Sequence, residues 1–265
     1  MAHQPRVAYD ITVIHDCIVR DTDYFRQFNT KAKKLSLYHK RQQLLDKHPH
    51  IQEIVNAAFV RSLDKKRGEY VAKVGWLPTE LVITDQRIRE MCRNMFTLPK
   101  QYAQKTGTSF GPCPGQGKLS ACPPFSFNAQ ETREKLNQAD IFIAIQSKKF
   151  VEPPEIRGWQ DVLVNKYKKA IEKAAGEGSV TAAFGAGPCQ LCHPNPCLGR
   201  GECRSPEHRV FALESAGIAV LQLCRDMALL SEDSGWEIKF SKYFATSRQT
   251  HKEWKLTFGL AVKLT

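Results

Sequence analysis

Four cysteines within fifteen residues constrain this 265-residue chain more than any other feature. They stand as Cys189-x2-Cys192-x4-Cys197-x5-Cys203 in GAGPCQLCHPNPCLGRGECRSPEHR, residues 185–209. Thiols this close together let one loop wrap a small ion or cluster with little further loss of chain entropy. Zinc ribbons instead present two Cys-x2-Cys knuckles a dozen or more residues apart. A continuous wrap is closer to the way ferredoxin loops hold a [4Fe–4S] cube. Gly185, Gly187, Gly199 and Gly201 let the backbone approach and aim N–H groups at sulfur. The expectation is a [4Fe–4S] cluster on Cys189, Cys192, Cys197 and Cys203, with a zinc-stapled loop as the alternative.

A second group, Cys92, Cys113 and Cys122, is one thiol short of a closed tetrahedral site. If these residues hold a metal, the fourth position is open to water or substrate, which is what makes such a centre catalytic. Their spacings, 20 and 8 intervening residues, match no generic ligand motif, so plain structural thiols remain the other reading. Proline follows Cys113 and Cys122 directly and fixes the chain direction beside each sulfur. Cys17, beside an expected strand, and Cys224, in the apolar stretch 218–230, read as small buried hydrophobes. The opening MAHQPRVAYD lacks the apolar core of a signal peptide, so a cytoplasmic location is expected. In that reducing compartment thiols bind metal or react before they form disulfides. No apolar run approaches the roughly 20 residues of a membrane span.

Around the four-cysteine loop, His193 and His208 either replace a thiolate, donate to one, or face solvent. Arg204 and Arg209 either neutralise a cluster's negative charge or bind an anionic substrate, if they are not simply surface residues. Three residues are candidates for catalysis: Glu214, Arg209 and Lys118. Glu214 lies in an apolar stretch, where a carboxylate is a paired structural charge or a proton donor. Lys118, in the PGQGK turn, either reaches a bound anion or is solvated. No phosphate-cradling G-x-x-x-x-G-K-[ST] and no G-x-G-x-x-G is present.

The formal charge is +12, from 39 basic and 27 acidic residues. The densest run holds Arg26, Lys31, Lys33, Lys34, Lys40, Arg41 and Lys47 against Asp46, interleaved with Tyr24, Phe25, Phe28 and Tyr38. One reading is a face that tracks phosphates or docks a partner. The other is an amphipathic helix whose basic side is merely wet. Nucleic acid, a redox partner or an enzyme-complex subunit are the partners considered; a membrane is not.

Residues 6–14 (RVAYDITVI) read as a strand, and the pattern from Asp21 to about Arg61 is helical with a break at His48-Pro49-His50. Residues 64–68 (DKKRG) form a charged turn, residues 80–84 (ELVIT) a strand and residues 88–95 a short helix. A long Gly/Pro-rich segment, 97–127, needs something to organise it. Asn128 with Glu131 makes a capping box, followed by a strand at 141–145 (IFIAI). A helix over 159–175 buries Val162, Leu163, Tyr167, Ala170, Ile171 and Ala174, and a strand at 179–184 leads into the cysteine loop. Ser205-Pro206 then opens a helix that Gly217 closes. Such strand–helix alternation predicts an α/β fold with a mainly parallel sheet and flanking helices. The expected division is an N-terminal basic, mostly helical module over 1–79 and a cysteine-rich α/β metal-binding domain over 80–265.

ITDQRIREMC (83–92), CPGQGKLSACPPF (113–125), the helix and IFIAI strand after it, and AAFGAGPCQLC through CRSPEHRVFALESAGIAV (182–220) resemble the DUF2284 group of predicted metal-binding proteins. That group is widespread in anaerobic bacteria and archaea. Its early cysteines fall here on Cys92, Cys113 and Cys122, and its later segment on Cys189, Cys192, Cys197 and Cys203. The chain departs from the pattern in the twenty residues 93–112 and in Gln116, where the family has an aromatic. The resemblance implies metal at both groups but supplies no reaction. The functional expectation is an iron–sulfur redox enzyme, or an electron-transfer or accessory subunit. The alternatives are a non-catalytic zinc protein binding nucleic acid or protein through its basic module, and an iron–sulfur enzyme modifying tRNA or nucleotides.

Overall fold

The structure is a computed structural model that describes residues 30–58, 63–64, 68–69, 71–94, 116–149, 153–186, 189, 191–192, 197–198, 201–230 and 254–265. The strand expected over 6–14 and Cys17 lie outside them.

The helical pattern of the basic run becomes α1 (Thr30–Lys47) and α2 (Ile51–Ala57), divided at His48-Pro49-His50 as expected. The charged turn is spanned by a minimal ladder of β1 (Leu63–Asp64) and β2 (Gly68–Glu69). The next strand, β3 (Val71–Pro78), lies ahead of the strand expected at 80–84. Only an isolated bridge, Thr84 to Ile218, marks that stretch, after a 3-10 turn at Thr79–Leu81. Then come α3 (Gln86–Asn94) and α4 (Ala129–Leu136). The capping box forms: Glu131 N–H donates to Asn128 Oδ1 at 2.9 Å and Asn128 N–H to Glu131 Oε2 at 2.7 Å. The chain continues through β4 (Ile141–Lys149), α5 (Pro153–Ala175), β5 (Val180–Gly185), β6 (Phe211–Ala212), α6 (Val220–Leu230) and β7 (Trp254–Val262).

The expected mainly parallel sheet is not what forms. Five strands run in the order β3-β4-β7-β5-β6, and only β5 and β6 pair in parallel. β7 lies antiparallel to both β4 and β5, so those two strands point the same way with β7 inserted between them. The β4–α5–β5 crossover is therefore a split one, opened by a strand some seventy residues further on. β4 also misleads locally. Ile141 to Ile145 are all fully buried, the continuous apolar run typical of parallel strands. Here the run reflects helices covering both faces of an antiparallel pair.

The pleat sorts the side chains onto those faces. Ile141, Ile143, Ile145, Phe258, Leu260 and Val262 pack with α2 and α5. Phe142, Ala144 and Ala261 pack on the opposite side with α1, α4 and α6. Among the described side chains of α5 the buried positions are Val164, Tyr167, Ile171 and Ala175; of the expected face Ala170 is half-buried and Ala174 exposed, and the side chains of Val162 and Leu163 lie outside the described residues. The expected helix from Ser205-Pro206 to Gly217 is also absent. Two 3-10 turns, Pro206–His208 and Glu214–Ala216, flank β6, although Gly217 does close the segment in the left-handed region at φ +79°. Pairing of β6 with β5 outcompetes local helix propensity.

Residues 30–78 share both cores through Leu37, Ile51, Ile54, Val55, Trp76 and Leu77. Lys33 Nζ lies 2.5 Å from Asp226 Oδ1, joining α1 to α6 by an ion pair with little exposure. Burial pushes the Lys33 pKa down and that of Asp226 up, and the attraction between them opposes both shifts.

Gly259 sits where the faces are tightest. A Cβ there would lie 2.1 Å from Phe142 Cζ and 2.9 Å from Leu213 Cδ2. The Phe142 ring is fully buried and cannot swing clear. Gly259→Ala is expected to destabilise the fold by about 1–3 kcal/mol through overpacking, with part regained in a Gly259→Ala, Phe142→Leu double variant. The urea midpoints of the three chains measure both effects.

Candidate metal centre

The first cysteine-bearing segment is a compact turn. Gly117, at φ +68°, lets the chain reverse so that its N–H donates to Pro123 O at 2.8 Å. Cys122 N–H donates to Leu119 O at 3.0 Å, and Cys122 O accepts from Phe125 and Ser126 N–H at 2.9 and 3.2 Å. Arg89 of α3 fastens this turn. Its Nη2 donates to Pro124 O and Ser126 O at 2.9 and 3.2 Å, and its Nε to Phe127 O at 3.1 Å. The same helix carries Cys92 one turn further on. Ser126 Oγ adds a bond to Ser215 O at 2.8 Å. Cys122 is buried and Cys92 half-buried, while Cys113 lies outside the described residues.

The second segment leaves the carboxyl end of β5. Cys189, Cys192, Cys197 and Cys203 are all half-buried, and Cys189 packs against the core that contains Phe142 and Leu213. The two segments meet at one sulfur. Ser120 N–H points at Cys197 Sγ across 3.4 Å, and Ser120 Oγ lies 3.3 Å from the same atom. Arg209 Nη1 donates to Ser120 O and Gly201 O, both at 3.4 Å. Its guanidinium lies 4.7 Å from the Phe211 ring centre, and Phe211 stacks on Phe127 at 4.5 Å. Gly201, at φ +87°, brings its backbone against Phe125, 3.3 Å from where a Cβ would stand.

Among the described residues no three His, Cys, Asp or Glu side chains gather closely enough to hold one ion. By residue type, four thiols on one loop suit a thiophilic metal, and Ser120 N–H donates to one of them. No disulfide joins any two of the described cysteines.

A family comparison matches residues 99–244. The chain belongs to the DUF2284 family of predicted metal-binding proteins. No curated protein and no solved structure matches it significantly. The DUF2284 match contains Cys113, Cys122 and the four-cysteine loop, whereas Cys92 precedes it. Among the described residues no helix is long and apolar enough to cross a membrane.

The other sequence candidates are spread around this assembly. Lys118 is exposed on the turn, Arg204 and His208 are exposed, and His208 Nε2 lies 3.7 Å from Glu207. His193 lies outside the described residues. Arg209 is the one candidate that touches both segments, as a brace between their carbonyls. Cys224 is buried, with Thr257 Oγ1 at 3.7 Å and Gln146 Nε2 at 3.9 Å, and desolvation pushes its thiol up to about 11. Ser120 and Arg89 were not singled out by sequence. Their residue types occur everywhere, and only the folded chain brings them to the cysteine segments.

Glu214 keeps part of its residue surface, yet its carboxyl is deep enough for desolvation to raise its pKa from 4.5 to about 7. The unfolded chain releases this proton near 4.5 and the folded chain near 7, so stability falls as pH rises through that window. Glu214→Gln is expected to remove the dependence and to gain on the native chain by about 2 kcal/mol between pH 5.5 and pH 8. Urea unfolding of both chains at the two pH values checks it; parallel curves would contradict a buried, raised carboxyl.

Proposed function

We propose that this chain is an iron–sulfur protein that carries a [4Fe–4S] cluster on Cys189, Cys192, Cys197 and Cys203 and serves a redox enzyme or electron-transfer role. The observation that supports it best is the Ser120 N–H donated to Cys197 Sγ, with Ser120 Oγ 3.3 Å from the same atom. An amide N–H can only donate, and a donor at sulfur suits a metal-bound thiolate better than a neutral thiol. Membership of a predicted metal-binding family agrees with this reading at the level of metal alone. A bound cube would supply one-electron transfer. The chain's own contribution is a loop anchored between β5 and β6, a donor at the sulfur, and Arg209 close by as a positive charge for an anionic cluster.

Cys92, Cys113 and Cys122 are the residues for a second centre with an open position. The Arg89 clamp, which holds the helix of Cys92 on the turn of Cys122, favours their cooperation. A zinc ion in the four-cysteine loop is the competing reading, and colour separates the two. Iron–sulfur clusters absorb visible light and bleach on reduction, whereas zinc thiolates do neither.

Anaerobic purification with iron, zinc and acid-labile sulfide analysis tests the assignment. The native chain should be brown and contain iron and sulfide in equal amounts. Cys197→Ala should lose most of both, and Cys122→Ala should leave the first cluster's share in place. A colourless native chain containing zinc and no sulfide would overturn the iron assignment. A Cys197→Ala chain with full iron and sulfide would overturn the ligand set.

A further inference from the structure

Basic side chains of α1 turn inward against different kinds of neighbour. Lys33 Nζ lies 2.5 Å from Asp226 Oδ1, and Lys40 Nζ lies 2.5 Å from Glu80 Oε1, so each meets a carboxylate. Arg41 meets none among the described residues. Its guanidinium stands 4.4 Å from the Trp76 ring centre, and its buried Nε has no hydrogen-bond acceptor. Trp76 is 1% exposed, and its indole Nε1–H, a group that can only donate, is also without an acceptor. Burial pushes the Arg41 pKa down, and only the Tyr38 phenol opposes that shift.

We propose that Arg41, seated on the Trp76 ring, is a binding site for a small oxyanion, a phosphate or a carboxylate. The inference does not rest on any metal at the cysteines. For a buried cation on this helix the chain's own answer is a carboxylate, as Lys33 shows. Arg41 is given an aromatic ring instead. The ring attracts the charge but carries no oxygen to accept from the N–H groups. A water would satisfy a donor and leave the charge uncompensated, whereas an anion answers both. Arginine suits this ligand class because its planar fork matches the paired oxygens of carboxylate and phosphate. Stacking on an aromatic ring holds that fork in place before the ligand arrives. Arg41 is half-buried, so a small anion meets its outer edge from solvent while Trp76 stays covered. The net charge of +12 raises the concentration of anions around the chain.

The test follows two N–H resonances of the isotopically labelled full chain by NMR, Trp76 Nε1–H and Arg41 Nε–H. Each is assigned by its loss, in Trp76→Phe and in Arg41→Lys. Inorganic phosphate and acetate are titrated separately, with sodium chloride at matched ionic strength as the screening control. Both resonances should shift saturably with phosphate, with acetate or with each, and not with chloride. Saturation with one anion alone supports the site and identifies its ligand class. A linear drift with both anions, or the same shift with chloride, means an adventitious ion only and overturns the proposal, as does no shift at all.

Arg41→Lys keeps the charge and loses the fork. Read at the Trp76 resonance, it should bind about tenfold more weakly, the loss of one charge-assisted hydrogen bond. Unchanged affinity in that variant would overturn the proposal. Thermal unfolding gives a second reading that needs no assignment: the saturating anion should raise the Tm of the native chain more than that of Arg41→Lys. An equal rise in both chains would put the anion elsewhere and sink the site. Should Arg41→Lys fail to fold, the native titration alone decides.

Discussion

The antiparallel pairing of Trp254–Val262 with both Ile141–Lys149 and Val180–Gly185 is the contact on which the rest of this structure depends. The family-matched segment, 99–244, supplies β4, β5 and β6, of which only β5 and β6 touch. β4 and β5 are one strand apart, and the gap is filled from beyond that segment by β7. β3, ahead of it, adds the outer edge. Without β7 the helix α5 would join two strands with no ladder between them, and Phe258, Leu260 and Val262 would leave the core under α2 and α5. Gly259 shows how closely this strand fits, because the Phe142 ring occupies the space a side chain would need.

That sheet aims the four-cysteine loop. The chain leaves β5 at Gly185 and returns at β6, where Leu213 N–H donates to Gly185 O at 3.1 Å. The two ends of the cysteine loop are therefore held together before any metal arrives. Phe127 stacked on Phe211, and Phe125 against Gly201, press the earlier turn onto the returning strand. Polar contacts then set the register: Arg89 on the turn's carbonyls, Arg209 across Ser120 and Gly201, Ser120 at the Cys197 sulfur.

Local signals in the sequence were legible because they act over a few residues. The Asn128–Glu131 capping box, the break at His48-Pro49-His50 and the left-handed Gly217 each depend on neighbours alone. The sheet was not legible in the same way. A crossover between β4 and β5 points to parallel neighbours, and nothing near either strand reveals that a distant one will slip between them. The helix expected to end at Gly217 failed for the same reason, since β6 exists only through its pairing with β5. The cysteines were visible as candidate ligands from spacing, but their second layer was not. Ser120, Arg89 and the Phe127–Phe211 stack matter only through partners remote in the chain.

The charge distribution has a similar lesson. Counted along the sequence, the basic run looks like one surface for an acidic partner. In the fold, its members have separate tasks. Lys33 is buried against Asp226, Lys40 Nζ lies 2.5 Å from Glu80, and the Arg41 guanidinium stands 4.4 Å from the Trp76 ring centre. Tyr38, one of the interleaved aromatics, donates its hydroxyl to Leu230 O at 3.3 Å. These contacts bind α1 to α6, to the 3-10 turn after β3, and to β3 itself. Lys31, Lys34 and Lys47 remain exposed on the helix. A buried ion pair such as Lys33–Asp226 adds little net stability, but removing one partner strands the other, so it specifies where α1 must lie. Three of the run's basic residues, Lys33, Lys40 and Arg41, thus have partners inside the chain that fix where α1 lies.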